Sequence, residues 1–401
     1  MLLAPDCFGS SLTAEQAATT MAAAWLRAAP GDVVVTRPLS DGGPGFVDTL
    51  AASLGGTVVP VTVTSPVGAP VPAAVLLADD GRTAYVESAH ALGLALVPAD
   101  HRDPGRTTSY GLGELVRAAL GQGARRVVVG LGGSGTNDAG AGMLAALAGL
   151  PPGTAWAGGG GALGDVVEDD LADALRVVRA LTRGVELLAA VDVDVPLLGL
   201  TGASAGFAEQ KGATPAQAQA LEGALAHFAR TAVAALGDLE RPDLLAGPRG
   251  AHGAHGPHGP GRGAFARLTS AAGAGAAGGA GFGLLVAGGR LVPGAALVAD
   301  AVGLDALAAD SDVVVTGEGR FDWQSLHGKV VATVAGRALA AAVPTVVVAG
   351  QVEVGRREYA AAGITSAYAV GETPAEVAAA LADPVGSLAR RVERVARTWS
   401  R

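Results

Sequence analysis

The stretch that decides the fold is RRVVVGLGGSGTNDAGAG, residues 125–142. After two arginines it has a short run of valines, continues through a polar loop rich in glycine, and ends in a segment of alanine and glycine. This order predicts a strand, a loop and a helix, which is the repeating unit of an α/β protein. Short apolar runs alternate with alanine-rich segments along most of the chain, so the same unit is predicted to recur.

The predicted strands fall into two groups. One group favours a single parallel, doubly wound sheet, with strands near residues 2, 33, 312, 345 and 366. The other group is separated by short turns and favours antiparallel pairing, at 57–64, 73–78 and 83–87. The fold class is therefore predicted as α/β with two domains, one holding the doubly wound parallel sheet and the other mixed and inserted. The predicted boundaries are 1–50 plus 290–401 for a discontinuous Rossmann-like domain, and 51–289 for the inserted domain.

Composition excludes several classes of protein. The chain has 401 residues, 50% hydrophobic and 16% charged, which argues against global disorder. Its net charge of −9 argues against a nucleic-acid partner that is bound by neutralising phosphates. Cys7 is the single cysteine, so no internal disulfide can form. No signal-peptide pattern or apolar span is read. We therefore expect a cytoplasmic protein without a membrane partner.

Three rare residues stand out from the composition. Of 28 basic residues only Lys211 and Lys329 are lysines, and Asn137 is the single asparagine. A coding bias towards Ala, Gly and Arg explains why Lys and Asn are rare. Under such a bias, a position that needs only a positive charge is expected to be Arg, so the two remaining lysines are informative. All three residues fall in polar loops. Because an ammonium is a compact charge with three donors, the lysines suit phosphate oxygens.

Polar loops follow many of the predicted strands. Ligands bind at the carboxyl ends of strands in open α/β sheets, so these loops are candidate site segments. A single Asp in such a loop is commonly a helix cap or a turn former. Capping does not explain why acids recur in several loops at the carboxyl-end edge of the sheet. The glycine loop could hold an anion at a helix N-terminus, and acids could hold Mg²⁺ through few ligands. Together with the lysines they indicate phosphoryl transfer. The loops lie at 5–8, 40–43, 132–138, 192–194 and 316–322.

Other common motifs are missing or weak. The GxGxxG match at 130–135 has no acid about 20 residues onward, so a dinucleotide site is disfavoured. No GxxxxGK[ST] motif occurs, which disfavours a P-loop NTPase. His252, His255 and His258 lie in the Gly/Pro-rich segment 246–263, which is interpreted as a surface loop rather than a metal site.

Eight motifs in order resemble those of the bacterial type I glycerate kinases. The resemblance implies two α/β domains around a cleft and transfer of the ATP γ-phosphate to D-glycerate, with Mg²⁺ as cofactor. Most bacterial members of this type make 2-phosphoglycerate, and a homo-oligomer is left open. The matching segments are APDCFGSSLTA (4–14), PLSDGGPGF (38–46), VES..ALGLALVP (86–98), TTSYGLGELV (107–116), GLGGSGTNDAGAGML (130–144), VDVDVPLLG..GAS..F..QKGATP (191–215), GAGAAGGAGFGLL (273–285) and VVVTGEGRFDWQSLHGKVV (313–331).

The resemblance, read with the polar loops, assigns roles to particular residues. Arg320 suits a bidentate clamp on the glycerate carboxylate. Asp192 or Asp322 is predicted as the base, with Asp6 and Asp41 as alternatives. The predicted catalytic residues are Asp192, Asp322, Arg320 and Lys329. The predicted substrate- and phosphate-binding residues are Asp6, Asp41, Gly42, Gly43, Gly132, Gly133, Ser134, Thr136, Asn137, Lys211, Glu318 and His327. The predicted metal ligands are Asp138 and Asp194.

Two positions depart from the family pattern. The first motif usually carries a lysine where this chain has Gly9, and the acidic loop usually carries an acid where it has Pro44. Two alternatives therefore stay open beside the glycerate kinase hypothesis. One is a kinase of a related small hydroxy acid, and the other is a catalytically impaired member that acts as a binding or regulatory protein.

Overall fold

The computed structural model describes residues 1–78, 80–237 and 260–400. The strands in these residues are β1 (Leu2–Leu3), β2 (Val35–Thr36), β3 (Thr57–Thr64), β4 (Pro70–Leu77), β5 (Thr83–Glu87), β6 (Arg126–Leu131), β7 (Glu186–Val191), β8 (Arg290–Pro293), β9 (Val314–Thr316), β10 (Arg320–Phe321), β11 (Thr345–Ala349), β12 (Gln351–Val352) and β13 (Ile364–Ala369). The α-helices are α1 (Ala14–Ala28), α2 (Phe46–Leu54), α3 (Ala89–Leu92), α4 (Tyr110–Gly121), α5 (Ala141–Ala148), α6 (Glu168–Leu181), α7 (Ala203–Phe207), α8 (Pro215–Leu236), α9 (Pro260–Thr269), α10 (Ala276–Val286), α11 (Gly294–Ala301), α12 (Leu304–Ala309), α13 (Val330–Ala340), α14 (Arg356–Ala361), α15 (Pro374–Ala382) and α16 (Pro384–Trp399).

The chain divides into two compact units. Unit 1 comprises Met1–Gly56 and Pro293–Arg401, and unit 2 comprises Thr57–Val292. These bounds lie within a few residues of the predicted boundaries. The assignment of the units as domains stays a prediction.

Unit 1 is built on a five-stranded sheet with the order β13-β11-β9-β1-β2, in which every pair is parallel. The chain leaves β1 towards β2 on one side and leaves β9 towards β11 on the other. Strand order therefore reverses between β1 and β9, and in open α/β sheets a ligand crevice forms at such a reversal. A small parallel pair, β10 and β12, lies beside the carboxyl end of this sheet.

Both faces of this sheet are covered. β11 is buried along its whole length, as expected of a strand between two helical layers. Val346 packs in a cluster with residues of α1 and α16, whereas its neighbour Val347 packs in a cluster with residues of α13. Successive side chains point to opposite faces of a strand, so one valine run supplies two cores.

Unit 2 contains a mixed six-stranded sheet with the order β3-β4-β5-β6-β7-β8. β3, β4 and β5 pair antiparallel, while β5, β6 and β7 pair parallel. The predicted fold class, a doubly wound parallel sheet and a mixed second sheet, is confirmed. The parallel part of the mixed sheet carries the strand of the 125–142 segment.

Local signals in the sequence explain several element ends. The Thr13 hydroxyl accepts a hydrogen bond from the Gln16 amide, and the Gln16 side chain accepts one from the Thr13 amide. This capping box satisfies N–H groups that the first turn of α1 leaves without partners. Among the residues that the structure describes, no helix is long and apolar enough to cross a membrane.

Candidate active site

The first group of predicted site residues lies in unit 1, where strand order reverses. The loops after β1 and β9 are joined by hydrogen bonds, because the Asp6 amide donates to Gly317 O at 2.8 Å and Thr316 Oγ1 donates to Ala4 O at 2.7 Å. The close approach at this place needs a glycine, since a Cβ on Gly317 would lie 2.1 Å from Val348 O. The two loops therefore form one fixed platform at the end of the sheet.

Three carboxylates influence one another on this platform. The pKa of Asp6 is raised well above its usual value, first by burial, then by the charges of Asp41 and Glu318, against the lowering effect of a hydrogen bond from the Cys7 amide. Burial and the charges of Asp6 and Asp41 likewise raise the pKa of the Cys7 thiol to about 12. Asp6, Asp41 and Glu318 thus form a cluster of like charges, which a cation would relieve.

Glu318 is the most unusual member of this cluster. Burial raises its pKa to about 7, and repulsion from Asp322 and Asp41 adds to this, while Ser325 and the Lys329 ammonium lower it. Its Oε1 atom is buried and accepts no hydrogen bond from any residue of the described ranges. Since buried polar atoms normally have a partner, this oxygen makes Glu318 a candidate for contact with a ligand.

Asp41 lies in a tight turn. Its Oδ1 accepts a hydrogen bond from the Gly43 amide at 2.9 Å, and Ser40 Oγ accepts one from the Gly42 amide at 3.2 Å. Gly42 has φ of 103°, a left-handed conformation that favours glycine. Asp41 is thus a turn former and a member of the acidic cluster at once.

The segment after β9 carries the other predicted residues of unit 1. Arg320 is exposed and its Nη2 donates to Glu353 Oε2 at 2.6 Å, while Asp322 Oδ1 accepts the Gln324 amide at 2.8 Å. His327 Nδ1 donates to Trp323 O at 2.7 Å and so fixes the same short turn.

Lys329 is the N-cap residue of α13, and its positive charge lowers the pKa of Glu318. This segment therefore brings one cation to the acidic cluster and pairs another with Glu353.

The second group of predicted site residues lies in unit 2, around the glycine loop between β6 and α5. Gly135 is held at both its backbone groups, because its amide donates to Leu92 O at 2.7 Å and its carbonyl accepts Thr107 Oγ1 at 2.8 Å. Gly133 is exposed, whereas 134–138 are buried. The loop thus shows its first glycines to solvent and buries its polar side chains.

Asp138 is one of the two predicted metal ligands, and the structure gives it a different setting. It is fully buried, and its carboxylate accepts hydrogen bonds from the Ser109 amide and hydroxyl and from the amides of Gly140 and Gly142. Burial raises its pKa, and those four hydrogen bonds lower it. A carboxylate with four donors braces the loop and the start of α5, so it is poorly placed to bind a cation.

The partner of Asp138 is a residue that the sequence analysis does not single out. Ser109 lies 29 positions away, accepts the Met143 amide at 3.0 Å and donates to Asp138 at 2.8 Å. Its one sequence signal is its place in the matched segment TTSYGLGELV. A hydroxyl that joins two elements through tertiary contacts has no local signature.

Lys211 and Asn137 belong to the same buried network. Lys211 is 5% exposed, and its Nζ donates to Ser134 Oγ at 3.0 Å and to Thr136 O at 2.7 Å. Burial lowers its pKa to about 8, against the opposing charge of Asp138. Asn137 Nδ2 donates to Ser204 Oγ at 2.9 Å. Lys211 is therefore bonded to the glycine loop, and Asn137 bonds that loop to Ser204.

The remaining predictions concern Asp192, Asp194 and metal sites. Asp192 follows β7 directly and is half-buried, whereas Asp194 is exposed. Across 1–78, 80–237 and 260–400, no group of three or more His, Cys, Asp or Glu residues is arranged to hold a metal ion. His252, His255 and His258 lie outside the described residues.

Comparison with known proteins decides the family. The sequence model described as the glycerate kinase family matches residues 1–400. The chain belongs to the glycerate kinase family. It is 37% identical to a glycerate kinase of Bacillus subtilis (strain 168), covering 99% of this chain and 96% of the relative. It is 34% identical to a glycerate 2-kinase of Escherichia coli (strain K12), covering 87% and 84%.

A solved structure agrees with this placement. A crystal structure from Salmonella typhimurium LT2, assigned as glycerate kinase 2, superposes with a TM-score of 0.74 at 33% identity, covering 99% of this chain and 96% of that chain. Glycerate kinases phosphorylate an alcohol group, so the recognised family and the predicted enzyme class are confirmed. Membership implies the use of ATP.

Proposed function

We propose that this protein is a cytoplasmic, ATP-dependent and Mg²⁺-dependent kinase that transfers the γ-phosphate to a hydroxyl of D-glycerate and forms 2-phosphoglycerate. The observation that carries the proposal is the platform at the reversal of strand order in unit 1. There, three acids of like charge lie close enough to influence one another, the pKa values of Asp6 and Glu318 are raised, and the charge of Lys329 acts on Glu318. The 2-position rests on the likeness to the glycerate 2-kinase of Escherichia coli.

The acidic cluster fits a magnesium ion. Mg²⁺ is usually held by one or two carboxylates together with substrate phosphates and water, so a three-residue protein cage is not required. Asp6 and Asp41 are hard oxygen donors, and their mutual repulsion raises the pKa of Asp6. We assign these two as the residues that would hold the ion, instead of the predicted pair Asp138 and Asp194. When bound, Mg²⁺ supplies charge neutralisation for the nucleotide phosphates.

Glu318 is proposed to take the proton from the substrate hydroxyl. A general base works best when its pKa is close to the working pH, and burial brings the pKa of Glu318 to about 7. The hydroxyl oxygen forms the new bond to the γ-phosphorus, its proton passes to Glu318, and the bond to the β-γ bridging oxygen breaks to release ADP. Asp192 and Asp322 stay predicted alternatives for this role, although Asp322 already caps its own turn.

Positive charge and the glycine loop are proposed to bind the anionic parts of the substrates. Lys329 would contact transferred phosphate, and Arg320 would exchange its exposed pairing with Glu353 for the glycerate carboxylate. Gly132 and Gly133, at the solvent-facing start of the glycine loop before α5, would hold phosphate or carboxylate through their backbone, and the buried Ser134, Thr136 and Asn137 would support them from within. Gly42 and Gly43 would let the nucleotide approach Asp41. His327 would position the segment before Lys329.

The departure at Gly9 is compatible with activity. Gly9 has φ of 58°, and a Cβ there would meet no atom within 4 Å. This left-handed conformation favours glycine over a side chain, and without a lysine here the neutralisation is left to Lys329 and to the metal ion.

One experiment tests the proposal. The protein is incubated with ATP, Mg²⁺ and D-glycerate, ADP is followed, and the product is identified by phosphorus NMR, with L-glycerate and glycolate as matched acceptors. ADP and 2-phosphoglycerate from D-glycerate are expected. No ADP above background would overturn the kinase assignment for this substrate, a 3-phospho product would overturn the position, and preference for another acceptor would favour the related hydroxy-acid alternative.

A further inference from the structure

The buried ammonium of Lys211 joins two parts of unit 2 that are far apart in sequence. Lys211 ends a short 3₁₀ helix, Glu209–Lys211, that lies just before α8. Its two acceptors, Ser134 Oγ and Thr136 O, are 77 and 75 positions away in the glycine loop. One side chain thus fixes both ends of a three-residue stretch of the loop.

The packing around this contact leaves little freedom. A Cβ on Gly212 would lie 2.2 Å from Arg102 O, and a Cβ on Gly278 would lie 1.9 Å from Thr136 O. The loop is therefore enclosed by backbone on one side and by the ammonium on another. A compact ammonium with three donors suits this space better than the wide, planar guanidinium fork, which accounts for a lysine in a chain where Arg is the usual cation.

Burying the Lys211 ammonium costs free energy, so a lysine at this buried position needs a structural or functional reason. Burial lowers the pKa of Lys211 to about 8, which shows that the surroundings disfavour the charged form. With 5% of the residue exposed, the ammonium is directed at its two acceptors in the loop. The contact is thus an internal one, and its benefit must reach a substrate through the loop.

The loop that Lys211 holds carries polar atoms without partners. Thr136 Oγ1 and Asn137 Oδ1 are both buried and form no hydrogen bond with any described residue. Each such atom destabilises the fold when it stays unpaired. A loop with two such atoms keeps its conformation because contacts from outside the loop, such as the Lys211 ammonium, impose it.

We propose that Lys211 is a positioning residue for the phosphotransfer reaction: it holds Ser134 and Thr136 so that Gly132 and Gly133, the solvent-facing start of the glycine loop, present their backbone to an anionic substrate group, and it does not contact that group itself. This deepens the proposed function, on which it rests. It also replaces the predicted role of Lys211 as a direct phosphate contact.

A double-mutant cycle tests the proposal through turnover. Lys211→Met keeps the length of the side chain and removes its donors, and Ser134→Ala removes one acceptor. Lys211→Met is expected to lower kcat/KM by roughly 10- to 100-fold, because a small misplacement of a binding group is costly. Adding Ser134→Ala to Lys211→Met is expected to lower it by less than about 3-fold further, since residues that act as a unit are not additive. Additive losses would overturn the proposal.

Hydrogen exchange tests the same proposal without turnover. Amides of 132–138 are expected to exchange roughly ten-fold faster in Lys211→Met, because local opening no longer breaks the two contacts. The matched control is Arg117→Met, which removes a basic side chain that donates to Leu147 O at 3.0 Å elsewhere in unit 2. The control should leave turnover and exchange of the loop unchanged. Unchanged exchange in Lys211→Met would overturn the proposal and favour direct contact with substrate.

The design separates this inference from the proposed function. Wild-type protein that forms no ADP with D-glycerate would overturn the proposed function, while the exchange result would still decide whether Lys211 holds the loop. If Lys211→Met does not fold, Lys211→Gln, which keeps two neutral donors, enters the same cycle. Loss of folding in both variants would overturn a role confined to the loop, because Lys211 would then stabilise the whole unit.

Discussion

The acidic cluster of unit 1 and the glycine loop of unit 2 both follow parallel strands, but they differ in the hydrogen bonds that their buried carboxylates accept. In unit 1, Asp6 and Glu318 have raised pKa values and neighbours of the same charge, and Glu318 Oε1 has no hydrogen-bond partner among the described residues. In unit 2, Asp138 is more deeply buried but accepts four hydrogen bonds. An acid that follows a strand can thus be left short of hydrogen-bond donors, as a candidate for ligand contact, or can be fully hydrogen-bonded as a brace.

The largest expected effect is a loss of stability when Asp138, the hydrogen-bonded acid of unit 2, is replaced. Asp138→Ala leaves four buried donors without an acceptor, so the free energy of unfolding of unit 2 should fall by about 3–5 kcal/mol. A drop in the thermal midpoint on the order of 10 °C would follow. Calorimetry measures this, with the exposed Asp194→Ala as the control that should leave the midpoint unchanged. A midpoint close to wild type in Asp138→Ala would remove the contrast between the two clusters.

The reverse behaviour is expected of Glu318. Glu318→Gln keeps the shape of the side chain and removes the proposed base, so turnover with D-glycerate should fall by roughly 100-fold or more. The thermal midpoint should stay at or above the wild-type value, because the substitution relieves repulsion within the acidic cluster. Steady-state kinetics and calorimetry on the same preparation check both expectations. Lower stability with normal turnover would make Glu318 a brace like Asp138.

A smaller loss is expected at the cation beside the cluster. Lys329→Ala should lower turnover by at least about ten-fold without unfolding, because charge neutralisation of phosphate is lost. Arg337→Ala is a suitable control, since Arg337 lies on the same helix α13 and pairs with Asp300 and Asp305 at the surface. Near-normal turnover in Lys329→Ala would remove Lys329 from the phosphate site.

The smallest effect is a pH dependence that should occur in unit 1. The pKa of Glu318 is raised from 4.5 to about 7 in the folded state, so the folded protein binds more protons between these values than the unfolded chain does. The contribution of Glu318 to stability is therefore complete below pH 4.5 and is lost as pH rises through 7. Denaturant titrations from pH 5 to 8 should show this decline in wild type and a flatter profile in Glu318→Gln. Equal slopes would show that Glu318 titrates as an ordinary acid.

Much of the fold follows from local patterns. The capping box at Thr13 and Gln16, the antiparallel strands of 57–87 and the fully buried valines of β11 depend on neighbouring residues or on the period of the side chains. Such signals are short in range and survive without the rest of the molecule. The candidate loops were predictable for the same reason, because each follows a predicted strand and contains an acid, and three of the five contain two or more glycines.

The roles inside those loops were less accessible. Arg320 was predicted as a clamp, and in the structure it pairs with Glu353, 33 positions away. Asp138 was predicted as a metal ligand, and in the structure its carboxylate accepts hydrogen bonds from the amide and hydroxyl of Ser109. In each case the side chain pairs with a residue that tertiary folding brings close. The sequence of the loop does not predict that partner.

By itself the sequence determined the α/β class, the family and the segments that carry chemistry, since these depend on periodicity, glycine placement and ordered motifs. The tertiary structure decided what each charge does. Lys211 looks like a second Lys329 along the chain, yet it is buried beneath the glycine loop while Lys329 caps α13 beside Glu318. The physical reason is that the energy of a charge is set by its solvent exposure and its partners, and both depend on residues that meet only when the chain folds.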